Sequence, residues 1–578
     1  MVAAPPLDPP TDAVTRPRPA RSARWWARLP AVAAMLGGLT LIGARAAQYG
    51  NWLVDDAAIT FAYARNLAEG LGPVAQPGVP PVEGFSNPTW TALLAVGRLL
   101  GLFDRGTLFG IPDYILFPKA LALLCCAGIL IAAHSAASLV SRRPWLVTLC
   151  TGALLAAVPS FVAWCFSGLE NSLFALLVTS LAVVTFRAAM LGRLLTPKVA
   201  ITVGLLAALA ALTRPDGAIY AAAYPLTALI QLRRTTLAST VRSVLVSGAA
   251  FAALFGTYLT WRYVVFGRLV ANTAVAKSQQ APDLKQFTRA GELVLYAGTL
   301  AVLLLVLVVG LVMARSSWWR QGMPALLVPL GLALIAYAVL NPDWMGEYRF
   351  ATPVWAMAAL IGPLATGEAF RGSGVRGRFV LAVAMTAALV PSGASLADAG
   401  NRFRDQPTLP MCFVADRFGR VFNTYADLFD VRQGSILEPD LGGTSLTSRL
   451  PILDLAGLVD AKIADYYHHH DMAALRDRVF EDVKPTFLHF RLYWGGATGI
   501  ATDPRLLRDY YPLYTYPAPA ELGGDWVRKD AVHSEEQLAA ARAYAATAVP
   551  ETERKLWVWP RRSCGDTLRP GQTTLDQH

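Results

Sequence analysis

Charge is what this sequence has least of. Asp, Glu, Lys and Arg make up 16% of its 578 residues, whereas a soluble domain carries about 25%. The shortage is concentrated in long runs that hold almost no charge, such as Leu121–Val140 and Ala301–Ala314. With their apolar flanks these runs approach the ~20 residues that cross a ~30 Å hydrocarbon core. The composition excludes an ordinary soluble protein and indicates a polytopic α-helical membrane protein.

Motifs for several common chemistries are also absent from the chain. It contains no P-loop, no dinucleotide-binding fingerprint, no HExxH zinc motif and no nucleophile elbow. Histidine is scarce at seven residues, and three of these are consecutive at His468–His470. Consecutive side chains point in different directions and rarely converge on one ion. These observations argue against an NTPase, a Rossmann-type dehydrogenase, a zincin and an α/β-hydrolase.

Basic residues outnumber acidic ones, 51 against 40, which gives a formal net charge of +11. Much of this excess lies in short clusters at the ends of apolar runs, such as Arg142–Arg143 and Arg233–Arg234. The positive-inside rule explains such clusters without a nucleic-acid partner. The charge therefore predicts the orientation of the chain in a lipid bilayer, and we expect no binding to nucleic acid.

The basic clusters and the apolar runs together predict a topology in the plasma membrane. Residues 1–28, rich in Pro, Ala and Arg, are predicted to be a disordered cytoplasmic tail, and residues 29–397 a transmembrane domain. Pro88–Phe103 is short and carries Arg98, so we interpret it as an interfacial helix within a first outer loop of residues 49–114. About eleven spans result, near residues 29–47, 115–140, 145–166, 172–191, 201–212, 218–232, 243–261, 292–314, 324–340, 354–365 and 379–396.

Residues 398–578 have the composition of a soluble domain, which the predicted topology places outside the cell. Helix-like stretches such as Leu453–Tyr467 alternate with short strand-like runs such as Tyr510–Tyr516, which predicts a small α/β domain. Its two cysteines, Cys412 and Cys564, lie near its ends. In an oxidising compartment they are expected either to form a disulfide or to remain two buried thiols.

Two adjacent acids, Asp55 and Asp56, open a helix-like run directly after the first span. One interpretation is an N-cap, in which an Asp accepts a hydrogen bond from a free backbone N–H. A cap needs only one acid, however, and two neighbouring carboxylates repel each other where water is scarce. The pair is therefore also a candidate for a general base or for the ligands of a divalent cation. No other cofactor is predicted.

Several cations, Arg268 among them, lie where the positive-inside rule does not expect them, and four others are candidates for binding a phosphate. Arg214 occupies a Pro/Gly break between two short apolar helices, and Arg262, Lys277 and Arg349 fall in predicted outer loops. Cations at the outer bilayer surface suit the phosphate of a lipid. The alternatives are a snorkelling side chain for Arg214 and solvated loop charges for the other three.

Five stretches in order carry a resemblance to a known family: VDDAAITFAYARNLAEGLGPV with VEGFSNPTW, SGLENSLF, ALTRPDG, WRYVVFGRLVANTAVAK and NPDWMGEYRFATP. The chain resembles a bacterial branch of the GT-C glycosyltransferases that includes the mycobacterial terminal arabinofuranosyltransferases. The resemblance implies a polyprenyl-phosphate sugar as donor, bound from the membrane. It also implies an essential acid in the first outer loop, here Asp55 or Asp56. Arabinofuranose is one candidate for the transferred sugar.

These lines of reasoning predict a glycosyltransferase of the cell envelope that moves a pentose or hexose to a polysaccharide or glycolipid outside the cell. Asp55 and Asp56 would be catalytic, the four cations would hold the donor phosphate, and Glu83, Asn87 and Glu170 would line the acceptor groove. A lipid-linked sugar transporter and a non-catalytic envelope-assembly protein are the alternatives. The predicted spans are largely free of acids, which favours the enzyme over the transporter.

Overall fold

In a computed structural model, the described part of the chain comprises residues 29–277, 284–516, 523–556, 563–565 and 567. Helices dominate its first two thirds. They run over Leu29–Ala47 (α1), Asp55–Ala68 (α2), Pro88–Leu99 (α3), Asp113–Val140 (α4), Pro144–Ala157 (α5), Pro159–Cys165 (α6), Asn171–Met190 (α7), Pro197–Thr213 (α8), Ala223–Ile230 (α9), Leu237–Phe266 (α10), Asn272–Ala276 (α11), Ala290–Ala297 (α12), Thr299–Arg315 (α13), Ser317–Gly322 (α14), Pro324–Val339 (α15), Thr352–Arg371 (α16) and Val375–Asp405 (α17). Short 3₁₀ helices add Pro215–Ala222, Arg234–Thr236, Leu284–Arg289 and Arg349–Ala351.

Within the described ranges, six helical segments are long and apolar enough to cross a membrane, and they contain α1, α4, α7, α10, α16 and α17. The pairs α5–α6 and α12–α13 bend by 84° and 101°, and they raise the number to eight if each pair is one span. The predicted number of eleven also counts α8, α9 and α15, which are only 17, 8 and 16 residues long. The structure thus supports a polytopic helical membrane protein, and eleven spans stay a prediction.

Glycines let the membrane helices approach closely. A Cβ added at Gly152 on α5 would lie 2.6 Å from the Cα of Gly38 on α1. On α8, a Cβ added at Gly204 would lie 2.3 Å from the carbonyl oxygen of Ser247 on α10. Small residues at such crossings bring backbones together where lipid supplies no hydrophobic driving force.

The residues after Asp405, here called the C-terminal region, combine helices with a sheet. The helices are Met411–Val414 (α18), Val421–Leu428 (α19), Leu441–Thr447 (α20), Ala461–His468 (α21), Met472–Asp477 (α22), Leu492–Thr498 (α23), Pro504–Asp509 (α24) and Glu535–Lys555 (α25), and π-helical turns cover Ala415–Arg420 and Arg478–Val483. Two short strands, Thr107–Leu108 (β1) and Ile111–Pro112 (β2), lie outside this region, between α3 and α4. The strands of the C-terminal region are Ile436–Glu438 (β3), Ile452–Asp454 (β4), Phe487–Phe490 (β5), Tyr510–Thr515 (β6) and Gly524–Arg528 (β7).

The C-terminal sheet has the strand order β4-β3-β5-β7-β6. Strand β3 pairs in parallel with β4 and β5, whereas β7 pairs antiparallel with β5 and β6. Successive residues face opposite sides of the sheet. Phe487 belongs to an apolar cluster with α19 and α25, and Leu488 belongs to a second cluster with α21 and α22. Both faces are therefore covered.

The boundaries differ from the predictions in several places. Helix α17 continues to Asp405, past the boundary predicted at residue 397. The helix predicted over Leu453–Tyr467 is wrong at its start, because Ile452–Asp454 is strand β4 and the helix begins only at Ala461. A buried three-residue strand is too short to show a period in the sequence.

A disulfide joins Cys412 to Cys564, with 5.0 Å between the two Cα atoms. The backbone N–H of Cys564 also donates to the hydroxyl of Tyr114 on α4 over 2.9 Å. The guanidinium of Arg420 donates to the carbonyl oxygen of Cys564 over 3.0 Å. The described residues at the end of the chain are thus fixed against both α4 and the C-terminal region.

Candidate functional site

Asp55 begins α2 but caps a different helix. Its carboxylate accepts hydrogen bonds from the backbone N–H groups of Gly443 over 2.8 Å and Gly442 over 3.2 Å, in the first turn of α20. These are donors that a helix leaves unpaired at its own start. The backbone N–H of Asp55 donates to the carbonyl oxygen of Leu409 over 3.0 Å. Asp55 therefore joins the start of α2 to the C-terminal region.

The contact between α20 and Asp55 requires glycine at both residues of α20 that donate to the carboxylate. A Cβ added at Gly442 would lie 2.1 Å from the carbonyl oxygen of Asp55 and 2.5 Å from its Oδ1. A Cβ added at Gly443 would lie 2.4 Å from the backbone nitrogen of Ala415. Burial raises the pKa of the Asp55 carboxyl well above its ordinary value, and the two amide donors oppose that shift.

Asp56 differs from its neighbour because its carboxylate has no hydrogen bond or ion pair among the described residues. Burial raises the pKa of Asp56, while the charges of Lys277 and Arg349 act in the opposite direction. Asp343 and Asp440 add to the rise. A carboxylate that is free, half-buried and surrounded by charges of both signs has the properties of a reactive group.

Arg349 is held rigidly. Its Nε lies 2.6 Å from the Oδ2 of Asp343, and its guanidinium lies over the rings of Phe350 at 4.9 Å and Trp164 at 6.0 Å. The preceding residues Gly346, Glu347 and Tyr348 have φ of 72°, 43° and 51°. Such left-handed backbone is costly outside glycine and persists where surrounding contacts enforce it. The backbone of these three residues therefore fixes the position of Arg349, where a short 3₁₀ helix begins.

Arg214 shares an aromatic ring with Arg349. Its guanidinium lies 4.7 Å from the centroid of Phe350 and 5.4 Å from that of Phe174. Its Nε donates to Asp216 over 2.9 Å and its Nη1 to Glu170 over 3.2 Å. The two arginines predicted to act together are therefore brought together, with three carboxylates offsetting their charge.

Asn87 and Glu170 belong to the surroundings of Arg214. The side-chain amide of Asn87 donates to Glu170 over 2.7 Å, and its oxygen accepts from the hydroxyls of Thr60 on α2 and Thr91 on α3. Both predicted acceptor residues are buried. Their polar atoms are committed to this network, which connects Arg214 to the helix that begins with Asp55 and Asp56.

Glu83 and Arg262 form a pair of their own. The Nε of Arg262 lies 2.6 Å from Glu83 Oε2, and its Nη2 donates to Oε1 over 3.0 Å. The hydroxyl of Tyr258 donates to the same Oε1 over 2.6 Å. Both charged side chains are buried, so this pair ties the loop after α2 to the end of α10.

Lys277 follows α11, a short helix that bridges the loop and the C-terminal region. The side-chain amide of Asn272 donates to the carbonyl oxygens of Gly457 and Leu458, and the backbone N–H of Asn272 donates to the carbonyl oxygen of Glu83 over 3.1 Å. The Lys277 side chain itself is exposed, and it lowers the pKa of Asp56 more than any other charge does. Lys277 is thus the exposed cation of the site and Arg349 the buried one.

Two acids at the site, Asp343 and Asp440, were not among the predicted site residues. Asp343 lies in the NPDWMGEYRF stretch, 287 positions after Asp56, and only Arg349 was predicted from that stretch. Asp440 pairs with Arg491 and directly precedes α20. Its position follows from packing between distant segments, for which the local sequence carries no signal.

A metal site does not follow from this geometry. The described residues contain no group of three or more His, Cys, Asp or Glu side chains that could hold a metal ion. Both carboxylate oxygens of Asp55 already accept backbone N–H groups. A divalent cation held by Asp55 and Asp56 therefore stays a prediction, and the reaction proposed for this site uses no metal.

No family model matches the sequence, and no curated protein matches it. The fold, however, is similar to the folds of two solved structures. The chain is similar to the oligosaccharyltransferase AglB from Archaeoglobus fulgidus, solved with an inhibitory peptide and a dolichol-phosphate, at a TM-score of 0.50 and 12% identity over 80% of this chain and 70% of that one. It is similar to apo ArnT from Cupriavidus metallidurans at a TM-score of 0.51 and 11% identity over 88% of this chain and 99% of that one. The arabinofuranosyltransferase branch stays a prediction.

Proposed function

We propose that this protein is a membrane glycosyltransferase that moves a sugar from a polyprenyl-phosphate donor to a cell-envelope glycan or glycolipid on the outer face. The GT-C fold supports the class of enzyme. The presence of dolichol-phosphate in the AglB structure supports a lipid phosphate carrier. Arabinofuranose remains one candidate sugar.

The observation that carries the proposal is the free carboxylate of Asp56 beside two cations. In the reaction, the bond between the anomeric carbon and the donor phosphate oxygen breaks, and a bond from that carbon to an acceptor oxygen forms. Asp56 takes the proton of the acceptor hydroxyl as a general base. Lys277 and Arg349 stabilise the negative charge that develops on the departing polyprenyl phosphate.

The other residues act through these three. Asp55 is a positioning residue that fixes the start of α2 against α20. Arg214 contacts the same ring as Arg349, and Glu170 and Asn87 hold Arg214 in place. Arg262 and Glu83 hold the loop after α2 instead of contacting the donor phosphate or the acceptor. In this proposal most of the predicted site residues position other residues, and only Asp56, Lys277 and Arg349 contact the substrates.

The topology in the proposal follows the basic clusters. The tail of residues 1–28 is cytoplasmic, residues 29–397 form the transmembrane domain, and residues 398–578 lie outside the cell. The disulfide between Cys412 and Cys564 supports an oxidising compartment for the C-terminal region. This orientation brings the acceptor glycan and Asp56 to the same side of the membrane.

The decisive experiment is sugar transfer by purified protein in lipid nanodiscs. The donors are radiolabelled polyprenyl-phosphate arabinofuranose and polyprenyl-phosphate mannose, each with an envelope polysaccharide extract as acceptor. We expect one donor to be consumed, and Asp56→Asn to lower the rate by about 10²–10⁴-fold, the usual contribution of a general base.

Asp405→Asn is the matched control, since Asp405 is an exposed acid at the end of α17 that pairs with its neighbour Arg404. Full activity of Asp56→Asn would refute the catalytic role. Movement of labelled lipid between leaflets without transfer would favour the transporter, and neither transfer nor lipid movement would favour the assembly protein.

A further inference from the structure

A polar cavity lies between α2, α3 and the C-terminal region. Its volume is about 380 Å³, within the range of roughly 300–1,000 Å³ that is usual for small-molecule sites. The buried side chains of Asn66, Arg98 and Asp104 line it, together with the exposed side chains of Glu69 and Arg105 at its edge. Neither Asp55 nor Asp56 belongs to the lining, so the cavity is distinct from the proposed transfer site.

Acidic and basic side chains are paired with each other in the lining of the cavity. Asp104 lies 2.6 Å from Arg65 and 2.8 Å from Arg98, and Arg98 also pairs with Glu69. Buried charges persist where such partners satisfy them. A free anion entering the cavity would meet Asp104 and Glu69, and a free cation would meet the arginines. A neutral ligand that both donates and accepts hydrogen bonds matches this mixture of charges.

The remaining lining narrows the class of ligand. Among the described residues around the cavity there is no aromatic ring, which argues against a nucleobase or another flat ligand held by stacking. The side chains of Asn66, Gln76 and Ser445 supply amide and hydroxyl groups instead. Hydroxyl groups of a ligand pair with all of these groups and with the charged ones, because a hydroxyl is both donor and acceptor.

The cavity and the transfer site share two helices. Asn66 follows Asp56 by ten positions on α2, which is about 15 Å at 1.5 Å per residue. Helix α20 contacts Asp55 through Gly442 and Gly443, and it contributes Ser445 to the cavity. A polymer lying along this pair of helices therefore reaches both places.

We propose that this cavity binds a neutral, hydroxyl-rich saccharide, namely a segment of the acceptor glycan remote from the hydroxyl that receives the sugar. The assignment of the saccharide as acceptor rests on the proposed function, whereas its binding in the cavity does not. A long acceptor would then be held at two points, and a short one only near Asp56.

The test measures binding by saturation-transfer NMR on the full-length protein in nanodiscs, with arabinan and galactan hexasaccharides as neutral probes. Pro77 is an exposed lining residue, and Pro77→Trp places an indole at the edge of the cavity. Pro80→Trp is the matched control, an exposed proline of the same loop outside the lining. We expect at least one hexasaccharide to bind, and Pro77→Trp to weaken that binding about tenfold, while Pro80→Trp leaves it unchanged.

A second pair of variants tests the polar contacts. Arg105→Ala removes an exposed guanidinium from the lining, and Arg432→Ala removes an exposed one elsewhere. Arg105→Ala is expected to weaken binding about tenfold, the effect of one charge-assisted hydrogen bond. No hexasaccharide binding by wild type, equal binding by Pro77→Trp and Pro80→Trp, or preferential binding of oligogalacturonate or inorganic phosphate would each overturn the proposal.

Binding is measured in Asp56→Asn as well, to separate this inference from the proposed function. Retained binding in Asp56→Asn supports a separate cavity, and lost binding overturns it. If wild type binds a hexasaccharide and Pro77→Trp does not, while no donor is consumed in the transfer assay, the cavity assignment stands and the enzymatic proposal fails. If transfer occurs but its KM for a long acceptor is the same in Pro77→Trp and Pro80→Trp, the cavity assignment fails and the enzymatic proposal stands.

Discussion

The contact between α2 and α20 can be tested by adding a single methyl group. Gly442→Ala places a Cβ at 2.1 Å from the carbonyl oxygen of Asp55, whereas real Cβ atoms essentially never come closer than 3.0 Å. The two helices must therefore separate by about 0.9 Å or more, because the nearest atom belongs to the backbone of Asp55 and a side-chain rotation cannot move it. Overpacking of this kind costs about 1–3 kcal/mol.

The same separation affects Asp56, the next residue on α2. A displacement of about 1 Å at a reacting group lowers rates by about 10²-fold. We therefore expect Gly442→Ala to lower both the melting temperature and the kcat for transfer, while the KM for the donor changes little because Lys277 and Arg349 are not displaced. Melting is followed by intrinsic fluorescence in nanodiscs, and transfer with the radiolabelled donor.

The matched control is Gly496→Ala in α23, another short helix of the C-terminal region. A Cβ added at Gly496 meets nothing within 4 Å, so alanine is expected to stabilise that helix by about 0.5–1 kcal/mol. If Gly442→Ala were as stable and as active as Gly496→Ala, the reasoning about the Asp55 contact would be refuted.

Three further outcomes follow from the site and from the disulfide. Burial raises the pKa of Asp56, and the unprotonated carboxylate is the active form, so log kcat/KM should fall as the pH drops through a value above the ordinary 3.8; a profile flat down to pH 3.8 would contradict this. Arg349→Lys keeps the charge but loses the planar contacts with Phe350 and Asp343, so the donor KM should rise about tenfold, and an unchanged KM would argue against a phosphate contact. Reduction of the Cys412–Cys564 disulfide should cost about 2–5 kcal/mol, seen as a lower melting temperature with dithiothreitol in wild type but not in Cys564→Ser.

Long apolar helices were predictable because a helix needs about 20 apolar residues to cross a bilayer. Helices α4 and α7 start and end within two residues of the predicted spans. The predicted span at residues 145–166 proved to be two helices bent by 84° before Pro159. Hydropathy measures only the apolar content of a run, and it cannot tell a straight helix from a bent one.

The candidate site was predictable in part. Asp55 and Asp56 stood out because adjacent acids are costly, and Arg214 and Arg349 because arginine beside a membrane is costly. The different roles of the two acids were not predictable, because they depend on Gly442 and Gly443, which lie far along the chain. For the same reason Glu170 and Asn87 were assigned to an acceptor groove, whereas their hydrogen bonds support Arg214.

The hydrogen bond from Gly443 to Asp55 joins residues separated by 388 positions. During synthesis, a ribosome that has just made α2 must still add most of the protein before the donors for Asp55 exist. The nascent polypeptide therefore lacks a complete site until its last third has been made and folded. A product truncated before Leu441 would lack both backbone donors to Asp55, so premature termination is expected to yield an inactive protein and not a deregulated one.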